Sequence, residues 1–378
     1  MHDSILLQEK KTRFFHAHFS LLKDPRRNTK GNFYYPLDEI LFLSIAGVLS
    51  GADDWVSISL FGKSKLDWLR QYFPYENGTP SHDVFGKLFA LIDPLRFNEC
   101  FVSWVNALSA IVQGEVIAID GKSLCGSANK AIGRGPFHLV SAYAAKNRLC
   151  LGQQCVAEKS NEITAIPDLL DMLTVQGCVI TIDAMGCQRE IAQKIIDREA
   201  DYILMVKDNQ KGLREQVEKV FSIQAPSHSH QQSDLGHGRI EKRECDVIDN
   251  LVFLDGREKW PQLHSIVRIK SERQNKQTGQ ASKETRYYIS SLKENAALFN
   301  SKVRQHWAIE NNLHWELDIL FQEDSSLMKK GNSAINFSLV KKMALALLER
   351  EKSTKMSKPS KRLRAALDDD YRSLILKT

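Results

Sequence analysis

No stretch of this chain stays apolar for long enough to cross a bilayer. The longest such run, 40–49, falls well short of the roughly 20 residues a spanning helix needs and is preceded by Asp38 and Glu39. The first ten residues lack a basic start leading into an apolar segment, so no secretory signal peptide is expected. The seven cysteines are odd in number and include no Cys-x-x-Cys pair, which favours reduced, mostly buried thiols over a disulfide framework. A cytoplasmic location follows as the expectation, with no membrane partner. No internal repeat or extended low-complexity tract is visible. An excess of one charge is also nearly missing. The net charge of +6 and pI near 8.8 lean towards an anionic partner, yet are compatible with many enzymes.

What remains is an ordinary globular composition, 43% hydrophobic and 26% charged, in a chain of 378 residues that can bury a large core in two or three domains. Residues 1–112 read as an α-helical domain, with apolar positions at helical spacing from Leu37 and again from Val56. The turn at 77–83 supplies a cap for a further helix from Val84. From 116 the rhythm changes to strands. Runs at 116–120, 138–145 and 149–158 follow one another, the last two joined at Lys146-Asn147-Arg148 as a hairpin. A helix at 162–173, a strand at 179–183, a helix at 189–198 and a strand at 202–207 come next. Three strands, then helix-strand-helix-strand, is the order of an RNase H-like core: an α/β fold with a mixed sheet flanked by helices. Residues 224–293 read as a mostly β insertion, with polar loops at 227–233 and 274–282 and short strands at 243–247, 265–270 and 286–289. The expected division is therefore 1–112, 113–330 and 331–378. The last part holds one amphipathic helix, 337–350, and then a basic run, 352–364, that reads as a solvated tail.

Two of the buried-type strands end in an acid. Val116-Ile117-Ala118-Ile119 leads to Asp120, and Val179-Ile180-Thr181-Ile182 leads to Asp183. An acid at the carboxyl end of such a strand is held at the edge where open α/β sheets keep their chemistry. Either aspartate alone also fits a turn or cap. Glu310 is the third candidate. On a wheel of about 100° per residue it falls among Leu313, Leu317 and Phe321, where an unpaired carboxylate is expensive and a basic side chain or a metal must compensate it. His306 and His314, one turn to each side, suit either metal ligation or core and substrate-facing hydrogen bonds. Trp307 and Trp315 suit packing better than base stacking.

These residues lie in longer stretches that resemble a known family. They are Ile119-Asp-Gly-Lys-Ser-Leu, Glu158-Lys-Ser-Asn-Glu-Ile-Thr-Ala-Ile-Pro, Thr181-Ile-Asp-Ala-Met-Gly-Cys-Gln, Val206-Lys-Asp-Asn-Gln, His237-Gly-Arg-Ile-Glu, and the segment from His306 to Asp318. Asp24-Pro-Arg, Tyr35-Pro-Leu, Leu49-Ser-Gly-Ala and Gly78-Thr-Pro-Ser-His-Asp extend the likeness through the amino-terminal part. In this order they resemble the DDE transposases of insertion sequences, and most closely the H-repeat-associated proteins linked to Rhs elements. The chain departs from the pattern in places. Cys125 stands where the family has arginine after Asp-Gly-Lys-x-Leu. Val303, His306 and Leu317 stand at the Tyr, Arg and Lys positions of the signature around the glutamate, with Arg304 as a possible substitute.

The resemblance implies a DNA transposase that hydrolyses phosphodiesters at element ends and transfers the strand to target DNA. It implies that Asp120, Asp183 and Glu310 are both catalytic and metal-binding, holding two Mg²⁺ or Mn²⁺ ions. Lys122, Lys207, Asn209, Gln210, Arg239, Arg304, His306 and His314 are the candidates for DNA contact. The partners expected are double-stranded DNA (terminal inverted repeats and target) and a second copy of the chain on that DNA. The protein would be nucleoid-associated when bound. Two other readings stand beside this one: a plain RNase H-like nuclease that cuts without joining, and a transposase-derived DNA-binding protein without catalysis.

Overall fold

The β-branched runs read above become the strands of one sheet. The structure, a computed structural model, describes residues 12–26, 34–108, 110–157, 160–236 and 238–377, without the side chain of Arg239. Its strands are β1 (Val116–Leu124), β2 (Phe137–Ala144), β3 (Leu149–Cys155), β4 (Val179–Ile182), β5 (Asp201–Val206), β6 (His228–Gly236), β7 (Arg239–Ile248), β8 (Ser265–Asn275) and β9 (Ala281–Ser290). They pair in the order β3-β2-β1-β4-β5-β9-β8-β7-β6. β1 runs antiparallel to β2 and parallel to β4, and β4 is parallel to β5. With β3 antiparallel to β2, the first five strands form the RNase H-like core expected.

β9 pairs antiparallel with β5, so the insertion continues the core sheet outward instead of standing apart from it. Its strands are longer than the sequence suggests. All of the polar segment at 227–233 but its first residue is part of β6, and both ends of the 274–282 segment belong to the β8–β9 hairpin. β6 is an edge strand with mostly exposed side chains, paired along its whole length to β7 through its backbone. Backbone pairing at an edge needs no apolar alternation, so the usual period-two signal is missing there.

The two faces of the sheet are covered differently. Ile117, Ile119, Ile180, Ile182 and Leu204 pack on one face against Ile166, Leu169 and Leu170 of the helix Glu162–Met172 and Ile191 and Ile195 of the helix Arg189–Asp197. On the other face Val116, Val179, Ile203, Met205, Tyr288, Val267, Ile269, Cys245 and Val247 receive Ala296, Phe299 and Val303 of the helix Ala296–His306. That helix thus lies across core and insertion alike.

In the amino-terminal part, Asp54 caps the helix Trp55–Ser64 by accepting from the amides of Val56 and Ser57. The helix after the turn runs His82–Leu91, with Ser81 at its N-cap position but no side-chain cap bond. The helices of this region share one apolar core with the sheet and with the helix Ser333–Arg350. That last helix is buried on nearly every side, Lys341 and Lys342 included, and is not the amphipathic helix expected. The basic run after it is no solvated tail either. It forms the helix Lys358–Leu367, followed by Asp369–Leu376. Its charges meet internal acceptors: Lys358 pairs with Glu316 and Glu349, Lys361 with Glu351, and Arg362 with Asp53 and the carbonyl of Val48. The seven cysteines are free, and all but Cys125 are buried or half-buried. Among the described residues no helix is long and apolar enough to cross a membrane.

Candidate active site

Strand register brings the two aspartates together. Ile119 pairs with Ile182 across the parallel β1–β4 ladder, so Asp120 and Asp183 follow at the same level on neighbouring strands, which lie about 4.8 Å apart. β4 stops there, while β1 continues to Leu124 beside β2 alone. This opens a crevice at the carboxyl end of β4. Asp120 is in phase with Val116 and Ala118, and Asp183 with Val179 and Thr181, so both stand on the face crossed by the helix Ala296–His306. Asp183 also accepts the amide of Met185 at 3.0 Å, which fixes the turn leaving the strand.

Glu310 lies near enough for its charge to bear on Asp120, at a break in its helix. Residues Glu310–His314 form a π turn, closed where the amide of Trp315 donates back to the Glu310 carbonyl. In a regular α-helix, positions four apart drift by about 40° at each step; the wider π turn takes that drift back. His306, Glu310, His314 and Asp318 can then follow one line along the strand ends. His306 Nδ1 meets Thr181 Oγ1 at 3.0 Å, His314 Nδ1 lies 3.6 Å from Asp120, and Asp318 pairs with Lys122. The π turn also corrects the wheel used above. Leu313, Leu317 and Phe321 are buried, but Glu310 is exposed and off their stripe.

The electrostatics are those of crowded acids. Burial, then Asp183, Glu162 and Glu310, push the Asp120 carboxyl up to about 7, against an opposing bond from the Gly121 amide. Partial loss of water, with Asp183, also raises Glu310, while Arg286 works the other way. Burial lowers His306 to about 4, and burial with Lys342 and Lys122 lowers His314 to about 3, so neither imidazole supplies a cation at neutral pH. The buried Nε2 of His314 has no hydrogen-bond partner among the described residues. Behind the strand, on the opposite face, Glu162 bonds His138 Nε2 at 2.7 Å, and a Cβ at Gly121 would lie 2.1 Å from Glu162 Oε1. The oxygen-only, anionic donor set of Asp120, Asp183 and Glu310 fits a hard divalent cation. Even so, among the described residues no three acid, histidine or cysteine side chains stand close enough to enclose an ion as they are. The fit is one of charge and chemistry, and cation binding would have to draw the carboxylates inward.

The predicted DNA contacts divide. Lys122 is turned into the protein, paired with Asp318, Glu323 and Asp324, and is not free for DNA. His306 is buried on Thr181 and is likewise withdrawn, because the helix end closes over it. His314 lies largely buried beside Asp120. Asn209 and Gln210 give their amide groups to the carbonyls of Ala184 and Cys187, so they brace the loop that follows Asp183. Lys207 is exposed just beyond β5, and Arg304 is exposed and paired with Asp234. The side chain of Arg239 lies outside the described residues.

Sequence reasoning missed the cleft beside Glu310. This space of roughly 800 Å³ lies between the insertion and the π turn, and its lining includes Arg243, Arg273, Arg286, Arg304, Trp307 and Asn311 as well as Glu310. Arg286 lies over the Trp307 ring, 4.6 Å from its centre. Trp315 points outward instead, 59% exposed. No signal in the sequence marks this convergence, because four arginines from four separate elements meet only through strand register and the packing of the helix Ala296–His306 on the sheet.

Comparison with known proteins identifies the family. Residues 112–347 match the family model of the transposase DDE domain, and residues 16–105 match that of its associated region. A protein of Escherichia coli O157:H7 provisionally named transposase YncI is 40% identical over 361 residues, covering 94% of this chain and 92% of its own. The H repeat-associated protein YhhI of Escherichia coli K12, also provisionally named a transposase, is 39% identical over 368 residues, covering 95% and 96%. Among solved structures, the cryo-EM synaptic complex of piggyBac transposase with hairpin DNA aligns with a TM-score of 0.46 at 11% identity, covering 100% of this chain and 81% of that one.

Proposed function

The chain belongs to the DDE transposases, in their H-repeat-associated group, and on that premise we propose that Asp120, Asp183 and Glu310 are its catalytic carboxylates. One observation supports the assignment: register sets the two aspartates side by side on parallel strands, with Glu310 near enough for its charge to bear on Asp120. DDE transposases use divalent metal ions, and these three residues would hold a pair of Mg²⁺ or Mn²⁺ ions in the two-metal manner. Such ions, when bound, lower the pKa of an attacking water or hydroxyl and neutralise charge on the phosphate.

The chain's own part is positional. β1 and β4 fix the aspartates against the core. The Thr181–His306 bond fastens the helix end that leads to Glu310, and Asn209 and Gln210 secure the loop after Asp183. Lys207 and Arg304, both exposed, are the residues we assign to the DNA backbone. The substrate is double-stranded DNA. Water cuts at the ends of the element, and the freed 3′-hydroxyl then attacks target DNA in the same crevice. We assign residues 1–112 to recognition of the element ends, 113–330 to catalysis and 331–378 to bracing the core, with two copies pairing two ends on the nucleoid.

The test is Asp183→Asn. It should abolish cleavage of element ends and leave DNA binding nearly intact, since affinity comes mainly from phosphate contacts made elsewhere. Joint loss of binding and folding would make Asp183 a structural residue. A strand-transfer assay on precut ends then separates a transposase from a nuclease that only cuts.

A further inference from the structure

Four arginines line the cleft beside Glu310, and three of them have a carboxylate partner. Arg273 pairs with Glu241 at 3.2 Å, Arg286 with Glu284 at 2.7 Å, and Arg304 with Asp234. Arg243 is the exception. Its cross-strand neighbours are Gln232 on β6 and Ser271 on β8. It is only 7% exposed, its Nε is buried with no acceptor, and no described residue pairs with its charge. A guanidinium cannot shed its proton to escape this, and an uncompensated buried charge is among the most expensive features a fold can carry. Glu241, two residues along β7 and already paired with Arg273, offsets part of the burial cost from a distance, and the neighbouring Arg304 adds to it.

Such a charge persists where the missing partner arrives from outside. The cleft supplies the route, since Arg243 lies on the same sheet face as Asp120 and Asp183, with Glu310, Trp307 and Asn311 along the same wall. The geometry points to a phosphate-binding subsite at Arg243. Its planar fork takes two oxygens of one phosphodiester in a DNA strand that runs from the insertion towards Glu310. The DNA part of this assignment rests on the transposase reading; the anion-binding part rests on Arg243 alone.

The experiment uses the full chain, with Arg243→Met and Arg243→Lys, in thermal melts and in titrations with a short random-sequence DNA duplex, with inorganic phosphate and with pyrophosphate. Arg243→Met should be at least as stable as the parent without ligand, because it removes a buried unpaired charge. It should bind the duplex about tenfold to a hundredfold more weakly, the worth of a charge-assisted bond. Its salt slope should fall by about one unit. Arg243→Lys should recover part of the affinity, keeping the charge without the fork. Unchanged duplex affinity and slope in both variants overturns the subsite. So does an Arg243→Met chain that melts lower without ligand while Arg243→Lys binds duplex as the parent does. If the parent binds phosphate or pyrophosphate through Arg243 and no duplex, a free anion is the ligand and the transposase reading fails apart from the subsite. Duplex bound by the parent with its affinity independent of Arg243 leaves the transposase reading standing and removes the subsite.

Discussion

Replacing Asp120 with asparagine removes a charge that the metal-free fold holds badly. Its carboxyl sits at about 7, raised by burial and then by Asp183, Glu162 and Glu310, against about 3.9 in an unfolded chain. A carboxyl whose pKa rises on folding keeps its proton longer in the folded chain. Stability from this group is therefore intact below about pH 4 and is lost as the pH climbs to about 7. Three units at about 1.4 kcal/mol each set a ceiling of about 4 kcal/mol. With 19% of the side chain still exposed, solvent screening reduces the expected loss to about 2 to 3 kcal/mol. Asparagine has nearly the same shape and no charge. In chelator, Asp120→Asn should match the parent at about pH 4 and exceed it at about pH 8 by that margin. In a chain of 378 residues the gain is about 3 °C in Tm. Added Mg²⁺ should then stabilise the parent more than the variant, because a ligand of the folded state acts by mass action. The assay is a series of melts across pH, with and without the metal. A variant less stable than the parent in chelator at about pH 8 would refute the reasoning, since a cation of this chain would then be holding Asp120.

Gly121→Ala places a Cβ 2.1 Å from Glu162 Oε1 and 2.5 Å from His138 Nε2; urea melts should show a loss of about 1 to 3 kcal/mol, and Glu162→Ala in the same chain should restore most of it. Thr181→Val strips the buried His306 of its partner and should cost about 1 to 3 kcal/mol. End cleavage should drop further than DNA binding, because the helix leading to Glu310 loses its fastening; equal losses of both would make the bond purely structural. Arg362→Met leaves Asp53 without its partner and should cost about 3 kcal/mol. The salt dependence of duplex binding should not change, and a shallower slope would place the carboxyl-terminal basic run on DNA after all.

The core was legible because its signals are local. β-branched runs of strand length with small residues after them marked β1 and β4, and the acids at their ends needed no more than parallel register to become neighbours. The hairpin at 145–148 showed itself by its polar turn. What escaped were features whose cause is not local. β6 carries no apolar alternation because its other side is solvent, so a nine-residue strand looked like a loop. Glu310 looked buried because a wheel assumes one helical period throughout, and a single π turn within 310–314 changes the phase.

Charge was the least legible quantity, for a physical reason. A net charge of +6 says how many basic residues are in excess, not where they end. Lys122, Lys358, Lys361 and Arg362 all point inward to carboxylates, which empties the basic run at 352–364 of much of the meaning it has in sequence. The arginines that do face an open cleft are scattered through β7, β8, β9 and the helix before Glu310. They converge because Arg243 is set opposite Ser271 and Ser271 opposite Glu284, two residues from Arg286. A slip of one residue in either ladder would turn Arg243 or Arg286 to the other face. The same register that aligns two aspartates on parallel strands therefore also decides whether a charged path leads to them, and a substitution that shifts the β7–β8 pairing should weaken DNA binding without touching Asp120, Asp183 or Glu310.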